Sequence, residues 1–470
     1  MMNYFENLIS STNNILWSYI LVVALICIGL YFTFKFKFVQ FTHIKDMISL
    51  LTEKTVSKDT TSTKGISSFQ AFCISTASRV GTGNLAGIAI AISVGGPGAI
   101  FWMWLIALIG SASSFVESTL AQIYKSKRKD GYVGGPAYYM EKGLKKRWMG
   151  VLFAILITIC FGLIFNSVQS NTISLAFEKS FGFEPIIVGI VLAIITSFIV
   201  FGGVKRIAVV CEFLVPIMAI IYILISFYVI LSNLSLMPSV INEIFASAFG
   251  IKEVIGGTLG GTILIGIKRG LFSNEAGMGS APNAAAAAET THPVKQGLIQ
   301  TLGVFTDTII ICSCTAFIIL LSGTYTTEGL TGIQLTQAAL GYHLGNFGEI
   351  FISICILLFA FSSIIGNYYY GESNISFIKE RPMYLFLYRA LVIVMVFLGS
   401  ILNLELVWGL ADLFMGLMAL INLIAIVMLS NVALEAFKDY RKQKLENKNP
   451  VFNRNDIKIM GTVDFWNEEN

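Results

Sequence analysis

Apolar runs of about 20 residues recur along almost the whole chain, and a helix needs about 20 apolar residues to cross a bilayer. Of the 470 residues, 55% are apolar and only 13% are charged, against roughly a quarter charged in soluble proteins. Strands of outer-membrane barrels are about 10 residues long and alternate apolar with polar residues, which these runs do not. The sequence therefore predicts an all-α membrane protein with many spans.

The apolar runs and the residues that break them predict about eleven spans. Their approximate limits are 15–36, 66–93, 98–124, 148–178, 185–203, 207–232, 256–289, 296–322, 346–376, 383–402 and 406–436. Lys and Arg are concentrated in every second loop. By the positive-inside rule we expect a plasma-membrane protein with its amino end outside, and a cytoplasmic polar tail at 447–470. The net charge of +4 is placed in these loops, so it indicates topology and not nucleic-acid binding.

Two of the spans carry residues that an uninterrupted membrane helix disfavours. The stretch Gly256–Ala288 includes Lys268, Arg269, Glu275 and Pro282, besides its many glycines: Gly256, Gly257, Gly260, Gly261, Gly266, Gly270, Gly277 and Gly279. The span 66–93 contains the sequence RVGTGN at Arg79–Asn84. Lipid offers no partner to a freed backbone group, so protein, water or a ligand must satisfy it. An interrupted helix at membrane depth is typical of a transporter's binding site.

The two interrupted spans are five spans apart, and an odd separation places them in opposite orientations. We therefore expect an inverted repeat of five plus five helices, with residues 66–232 as the first repeat and 256–436 as the second. The span 15–36 is too long for a signal peptide and is expected to be one additional N-terminal helix. On this interpretation residues 1–446 form a single transmembrane domain.

Several motifs resemble the alanine/glycine:cation symporter family of the amino acid–polyamine–cation superfamily. They are RVGTGNLAGIAIAISVGGPGAIFWMW (Arg79–Trp104), GGPAYYM (Gly134–Met140), QSN (Gln169–Asn171), GIKRGLFSNEAGMGSAP (Gly266–Pro282) and YYYGE (Tyr368–Glu372). The likeness extends from about Ser67 to Asn431. It implies a LeuT-like fold of ten core helices plus one and the import of small neutral amino acids, coupled to Na⁺. We expect a monomer in the lipid bilayer.

A zwitterionic substrate needs donors for its carboxylate and acceptors for its ammonium group. Unwound backbone at Thr82–Gly83, beside Asn84, would supply N–H groups at a helix start, where the dipole favours negative charge. Freed carbonyls over Gly270–Ser273, which includes Phe272, would accept from the ammonium. Gln169 is expected to contact the substrate from an apolar span. The alternatives are close helix packing for the glycines and an interhelical hydrogen bond for Gln169.

The resemblance also implies a sodium site. In the superfamily this site combines hydroxyls of the eighth core helix with carbonyls of the first, which correspond here to Ser362 and Ser363 and to Ala77 and Val80. The alternative is that the two hydroxyls bond to their own helix.

Asn367 departs from the family pattern, since many members carry Trp at this position. Asn removes the volume of an indole and adds an amide donor and acceptor. We expect a larger and more polar pocket that accepts glutamine beside alanine.

The other ionisable residues at membrane depth are Glu117, Asp307, Glu372 and Asp412, together with Lys268, Arg269 and Glu275. Glu275 with Lys268 or Arg269 could form a gating pair, and structural pairing is the alternative. His43, His292 and His343 fall in loops, so a histidine proton relay is unsupported. A channel or a membrane enzyme is disfavoured, because the sequence shows no HExxH or GxSxG motif and has two interrupted spans in one chain. The nearest alternative is a proton-coupled amino-acid transporter.

Overall fold

The structure, a computed structural model, describes residues 2–53, 65–128, 131–250 and 258–466 and is almost entirely helical. In chain order the helices are α1 (Met2–Ile15), α2 (Val22–Lys35), α3 (Val39–Thr42), α4 (Ile44–Leu51), α5 (Ser68–Arg79), α6 (Ile88–Gly95), α7 (Ala99–Ile123), α8 (Pro136–Lys142), α9 (Arg147–Ile157), α10 (Asn166–Phe181), α11 (Pro185–Val200), α12 (Gly203–Ser232), α13 (Met237–Ala248), α14 (Leu259–Asn274), α15 (Pro282–Ala287), α16 (Pro293–Val304), α17 (Ser313–Ser322), α18 (Gly332–Leu344), α19 (Asn346–Ile378), α20 (Pro382–Ile401) and α21 (Leu404–Leu445). A short antiparallel hairpin of β1 (Ser126–Arg128) and β2 (Gly131–Val133) follows α7.

Eight helices in the described residues are long and apolar enough to cross a membrane. They are Glu6–Lys35, Ala99–Ile123, Arg147–Phe181, Lys205–Ser232, Pro293–Ser322, Asn346–Ile378, Pro382–Ile401 and Leu404–Leu445. Turns of π-helix at Leu16–Leu21, Thr158–Phe165 and Phe305–Cys312 join the parts of three of them. The predicted all-helical architecture is confirmed. The count of about eleven also requires α11 and the two interrupted spans, and it stays a prediction.

Among the described helices that lie between the predicted spans, α13 and α18 are the two with more than ten residues. Helix α13 buries Val240, Ile244 and Ala248 on one face, at the spacing of successive helical turns, and this face packs against α7. Helix α18 lies against α17 and α19 and buries Ile333 and Leu340. Both helices are too short to cross a bilayer, so their apolar faces are covered by neighbouring helices.

The first interrupted span opens at Val80 and Gly81. Helix α5 ends at Arg79, Val80 has φ −80° and ψ 89°, and a π-helical turn at Gly83–Gly87 leads into α6. A Cβ atom at Gly81 would lie 2.2 Å from Ser363 Oγ, so this close approach requires glycine. The interruption that the Gly-x-Gly pattern predicts is thus present.

The second interruption lies later in the chain than predicted. Helix α14 continues through Gly270, Phe272 and Ser273 to Asn274, and irregular backbone follows from Glu275 to the start of α15. The expected opening at Gly270 is therefore wrong, and only the end of α14 leaves carbonyls without helical donors. Gly270 instead allows close packing on α7, because a Cβ there would lie 2.7 Å from Ile106 Cγ2. Gly256 and Gly257, where the predicted stretch and the second repeat begin, lie outside the described residues.

The two interruptions are adjacent in space. A Cβ at Gly83 would lie 3.0 Å from Phe272 Cδ1 and 3.3 Å from Ser273 Cα. Glu275 Oε1 lies 2.8 Å from the hydroxyl of Ser78, in the last turn of α5. The first halves of the two interrupted spans are α5 and α14. Their ends therefore lie next to each other in the interior of the protein.

Candidate functional site

Polar side chains converge where the two interruptions meet. They come from α5, α10, α14, α19 and the Gly83–Gly87 turn, and the following have no exposed surface: Thr82, Asn84, Ser273, Ser363 and Asn367. Burying a polar group is unfavourable unless it finds a partner. The partners of these groups therefore indicate which ligands the site can hold.

Gln169 on α10 reaches the start of the helix that follows the first interruption. Its Oε1 accepts hydrogen bonds from the backbone N–H of Thr82 at 3.0 Å and from the Thr82 hydroxyl at 2.7 Å. The dipole at a helix start favours negative charge. A partially negative carbonyl oxygen thus lies where an anionic group would be bound.

Asn84 and Ser273 meet at the carboxylate of Asp307, which the sequence analysis treated only as a charge at membrane depth. Asn84 Nδ2 and Ser273 Oγ each donate to Asp307, to Oδ1 and Oδ2 respectively, at 2.7 Å. Asn84 Oδ1 also accepts from the backbone N–H of Gly81 at 2.9 Å. Asp307 therefore links the two interrupted spans, a role that its position in an apolar run signals only weakly.

Three of the four predicted sodium ligands come together. Ser363 Oγ lies 2.8 Å from the carbonyl oxygen of Ala77 and 3.3 Å from that of Val80. Hydroxyl oxygens and the carbonyl oxygens of unwound backbone are suitable ligands for Na⁺. Ser363 Oγ also lies 3.0 Å from Phe359 O of its own helix. Ser362 Oγ donates to the same Phe359 O and faces Met218 Sδ at 3.8 Å, away from the carbonyls of Ala77 and Val80. The residues present fit a monovalent cation without a carboxylate ligand.

Asn367 lies one turn after Ser363 on the same face of α19. Its Oδ1 is 2.7 Å from Ser78 Oγ, and its buried Nδ2 has no hydrogen-bond partner among the residues that the structure describes. The two ends of a carboxamide exchange places when it rotates by half a turn, so one of them lacks a partner in either orientation. One end of the Asn367 carboxamide can therefore still form a hydrogen bond with a ligand at this site.

Aromatic rings enclose the site beside α14. The ring of Phe272 lies 4.6 Å from that of Phe165 and 4.7 Å from that of Trp408, centroid to centroid. The guanidinium of Arg269 lies 4.6 Å from the centroid of the Trp408 ring. Phe272, predicted as a substrate contact, is therefore part of an apolar cover.

The predicted gating pair of Glu275 with Lys268 or Arg269 is wrong. Glu275 ends α14 in the left-handed conformation, with φ +57°, and accepts from Ser78 and Ser280 at 2.8 and 2.5 Å. The chain turns away at Glu275, so its carboxylate points to the next half-helix. The two cations belong to Asp412 on α21 instead: Arg269 Nη2 lies 2.6 Å and Lys268 Nζ 3.3 Å from Asp412 Oδ2.

The two cations at Asp412 are not equivalent, and this gives a testable difference. Arg269 is 4% exposed and Lys268 is 14% exposed. We expect Lys268→Met to lower the free energy of unfolding by about 1 kcal/mol or less, because Arg269 still pairs with Asp412. Arg269→Met should lower the free energy of unfolding severalfold more than Lys268→Met, because it removes the more buried partner of Asp412. Thermal unfolding of the purified variants measures both, and equal losses would contradict this assignment.

Glu117 on α7 holds the irregular segment of the second interruption. Its Oε1 accepts from the N–H of Gly277 and its Oε2 from that of Gly279, both at 3.1 Å. Asn422 Nδ2 donates to Oε2 at 2.8 Å. Gly277 and Gly279 have φ of +82° and +87°, which favour glycine. This carboxylate supplies the acceptors that the opened backbone needs.

Known proteins resemble this chain in both sequence and fold. A sequence model of the sodium:alanine symporter family matches residues 2–454. The chain belongs to this family. It is an integral membrane transporter and not an enzyme, its substrates are amino acids, and Na⁺ is its coupling ion.

Several relatives in this family match nearly the whole chain. The probable sodium/glutamine symporter GlnT of Bacillus subtilis is 55% identical over 99% of this chain and 97% of its own length. The amino-acid carrier protein AlsT of the same organism is 54% identical over 100% and 99%. The sodium/alanine symporter AgcS of Methanococcus maripaludis is 37% identical over 94% and 99%.

Solved structures show the fold. The transporter MhsT, crystallised with L-phenylalanine, superposes with a TM-score of 0.57 at 16% identity, covering 81% of this chain and 93% of its own. The manganese transporter of Eremococcus coleocola gives a TM-score of 0.53 at 12% identity, covering 82% and 81%. This member of the sodium:alanine symporter family therefore has a LeuT-like fold.

Proposed function

We propose that this chain imports glutamine together with alanine and glycine, in symport with sodium and by alternating access. The observation that supports glutamine as a substrate is the Asn367 carboxamide, which has one buried end without a partner in the described part of the chain. Leaving a buried polar group unsatisfied costs about 1–3 kcal/mol, so a ligand that satisfies it gains affinity. A glutamine side chain offers both a donor and an acceptor. The name of the Bacillus subtilis relative, a probable sodium/glutamine symporter, supports the same substrate.

The backbone of the substrate lies between the two interruptions in this proposal. Its carboxylate replaces Gln169 Oε1 at the Thr82 N–H, next to the N–H of Gly83, and the Gln169 carboxamide turns to donate through Nε2. Its ammonium group bonds to the last carbonyls of α14, at Phe272 and Ser273, where the helix dipole is negative. Asn84 holds the unwound backbone at Gly81 and so shapes this site. Gly270 acts through the packing of α14 and makes no contact with the substrate.

Sodium is held, in this proposal, by Ser363 Oγ and the carbonyls of Ala77 and Val80. Val80 carries the non-helical ψ angle that turns its carbonyl out of the helical pattern. Ser362, which was predicted as a fourth ligand, contributes through its backbone position on α19 and not through its hydroxyl.

The architecture that goes with this function is an inverted repeat. We propose that residues 66–232 and 256–436 are the two repeats, each beginning with an interrupted span, and that 15–36 is the additional helix of an eleven-span domain over 1–446. The alternation of basic loops supports a plasma-membrane protein with its amino end outside and its tail in the cytoplasm. We propose that it is a monomer.

Proton coupling in addition to sodium is the second candidate. The relative YrbD of Bacillus subtilis, 44% identical, is named a putative sodium/proton-dependent alanine carrier. Asp307 and Glu275 are buried carboxylates beside the site. Uptake into proteoliposomes at a fixed sodium gradient separates the candidates: adding an inward proton gradient should leave accumulation unchanged if sodium is the sole coupling ion and should raise it if protons are coupled as well.

Substitution of Asn367 tests the glutamine assignment. Asn367→Trp should shift the preference from glutamine to alanine by about tenfold, because indole fills the pocket and removes the amide. Asn367→Leu, of similar size to Asn, should lower glutamine exchange and leave alanine exchange in place. Counterflow with labelled alanine and glutamine measures both. An unchanged preference in both variants would exclude this role for Asn367.

A further inference from the structure

The polar tail beyond α21 is ordered against the rest of the protein as far as residue 466. Its backbone pairs with two other segments: Phe452 N–H donates to Thr291 O at 2.9 Å, and Thr462 N–H donates to Lys142 O at 3.2 Å. Trp466 Nε1 donates to the carbonyl of Gln122, at the end of α7, at 2.9 Å. The tail therefore crosses from the start of α16 to the end of α7.

Lys125, directly after α7, is enclosed by this tail. Its Nζ lies 4.5 Å from the ring centroid of Phe465, 5.0 Å from that of Trp466 and 4.4 Å from that of Tyr132. A cation over aromatic faces is attracted by their negative electrostatic potential. Lys125 has no exposed surface, and this burial lowers its pKa to about 7, while the charge of Glu289 opposes the shift.

Ala288 connects the enclosed lysine to both interrupted spans. Lys125 Nζ donates to the Ala288 carbonyl at 3.1 Å, directly after α15. Ala288 also forms a parallel bridge with Ile66, just before α5, and Glu289 N–H donates to Ile66 O at 2.9 Å. The start of the first interrupted span and the end of the second are thus joined at the tail-bearing face.

Alternating access moves one repeat or bundle of a transporter against the other around the binding site. The two interrupted spans belong to different repeats in the function proposed above, so we expect them to separate on the face that opens. The bridge between Ile66 and Ala288 holds them together on the tail-bearing face, and the bond from Lys125 holds Ala288 in position for this bridge. A second set of contacts closes the tail over this point: Asp464 accepts from Ser126 at 3.1 Å and pairs with Lys142 at 2.5 Å. A displacement of Ala288 away from Ile66 would pull on its bond to Lys125, and the tail encloses that lysine.

We propose that the C-terminal segment 447–466 is a latch that keeps the tail-bearing face closed, with the aromatic enclosure of Lys125 by Phe465 and Trp466 as its central contact. The proposal rests on the transport function given above, and that face is cytoplasmic in the proposed orientation. Release of the latch favours the state that opens to the cytoplasm. The tail therefore sets which fraction of the transporter molecules is open to the cytoplasm and which fraction is open to the outside.

Oxidative cross-linking across the Ile66–Ala288 bridge measures closure directly. Paired strands lie about 4.8 Å apart, within the range that a disulfide spans after both residues are replaced by cysteine. The experiment uses the full chain with the exposed Cys27 replaced by alanine. We expect truncation after Leu445 to slow cross-linking severalfold, and Trp466→Ala to slow it in the same direction.

The side chain of Met460 provides the matched control, because it belongs to the same tail and is 46% exposed. Met460→Ala should cross-link at the rate of the full chain. If the truncated chain fails to fold, Trp466→Ala still decides the question, with sodium-dependent thermal stabilisation as the test of folding. Rates equal to that of the full chain in both tail variants would overturn the latch. Cross-linking needs no substrate, so a wrong substrate assignment leaves this result unaffected.

Discussion

Glu117→Ala is expected to abolish sodium-driven uptake and to lower the free energy of unfolding by about 2–6 kcal/mol. The substitution leaves the N–H groups of Gly277 and Gly279 buried without their acceptor, and each such group costs about 1–3 kcal/mol. The irregular segment between α14 and α15 then has no acceptor to hold it open. Uptake into proteoliposomes and thermal unfolding of the purified protein measure the two effects.

The neighbouring Ser118 supplies a control on the same helix. Its hydroxyl is buried and has no hydrogen-bond partner in the described part of the chain, so Ser118→Ala removes a polar atom without removing an interaction. This control should keep its stability and its uptake. Glu117→Gln should fall between the two, because one amide oxygen still accepts while the amide nitrogen faces a backbone donor. A Glu117→Ala protein as stable as the Ser118→Ala protein would show that Glu117 does not hold the interruption.

Ser363→Ala is expected to raise the sodium concentration for half-maximal uptake by about 10- to 150-fold. An interaction with a charged group contributes about 1.5–3 kcal/mol, and each 1.4 kcal/mol is a factor of ten in affinity. The loss removes the one side-chain oxygen that lies between the carbonyls of Ala77 and Val80. The sodium dependence of labelled alanine uptake measures the change.

Ser362→Ala is the matched control, since the same atom is removed one residue earlier on the same helix. Its hydroxyl faces Met218 Sδ and Phe359 O, away from the carbonyls of the interrupted span. We expect the sodium concentration for half-maximal uptake to change by less than about twofold, which corresponds to less than about 0.5 kcal/mol of binding free energy. If the two alanine variants behave alike, the cation is bound elsewhere.

Much of the fold was predictable because the bilayer imposes a strict length and polarity on each span. The apolar runs identified the long helices, and the Gly-x-Gly at Gly81–Gly83 located the first interruption to within a residue. This signal is local, because two glycines around one residue weaken a helix at the point where they occur. The family resemblance then added the coupling ion and the substrate class.

The second interruption shows where local signals become insufficient. Glycines both permit close packing and open a helix, and sequence alone does not separate these uses. Gly266 and Gly270 pack against α7, whereas Gly277 and Gly279 adopt positive φ in the open segment. The prediction of the opening at Gly270–Ser273 therefore fell about one turn early. Only the neighbouring helix, absent from any local pattern, distinguishes the two pairs.

The pairing of charges also depended on the tertiary structure. Lys268, Arg269 and Glu275 are close in sequence, yet Asp412 takes the two cations and Ser78 and Ser280 take the carboxylate. The sequence by itself determined that this protein is a helical membrane transporter with two opened spans, because hydrocarbon restricts chain composition at every position. The partners of the buried polar groups, including Asp307, Glu117 and Lys125, were decided only by the fold, because these hydrogen bonds and ring contacts join residues far apart in the chain.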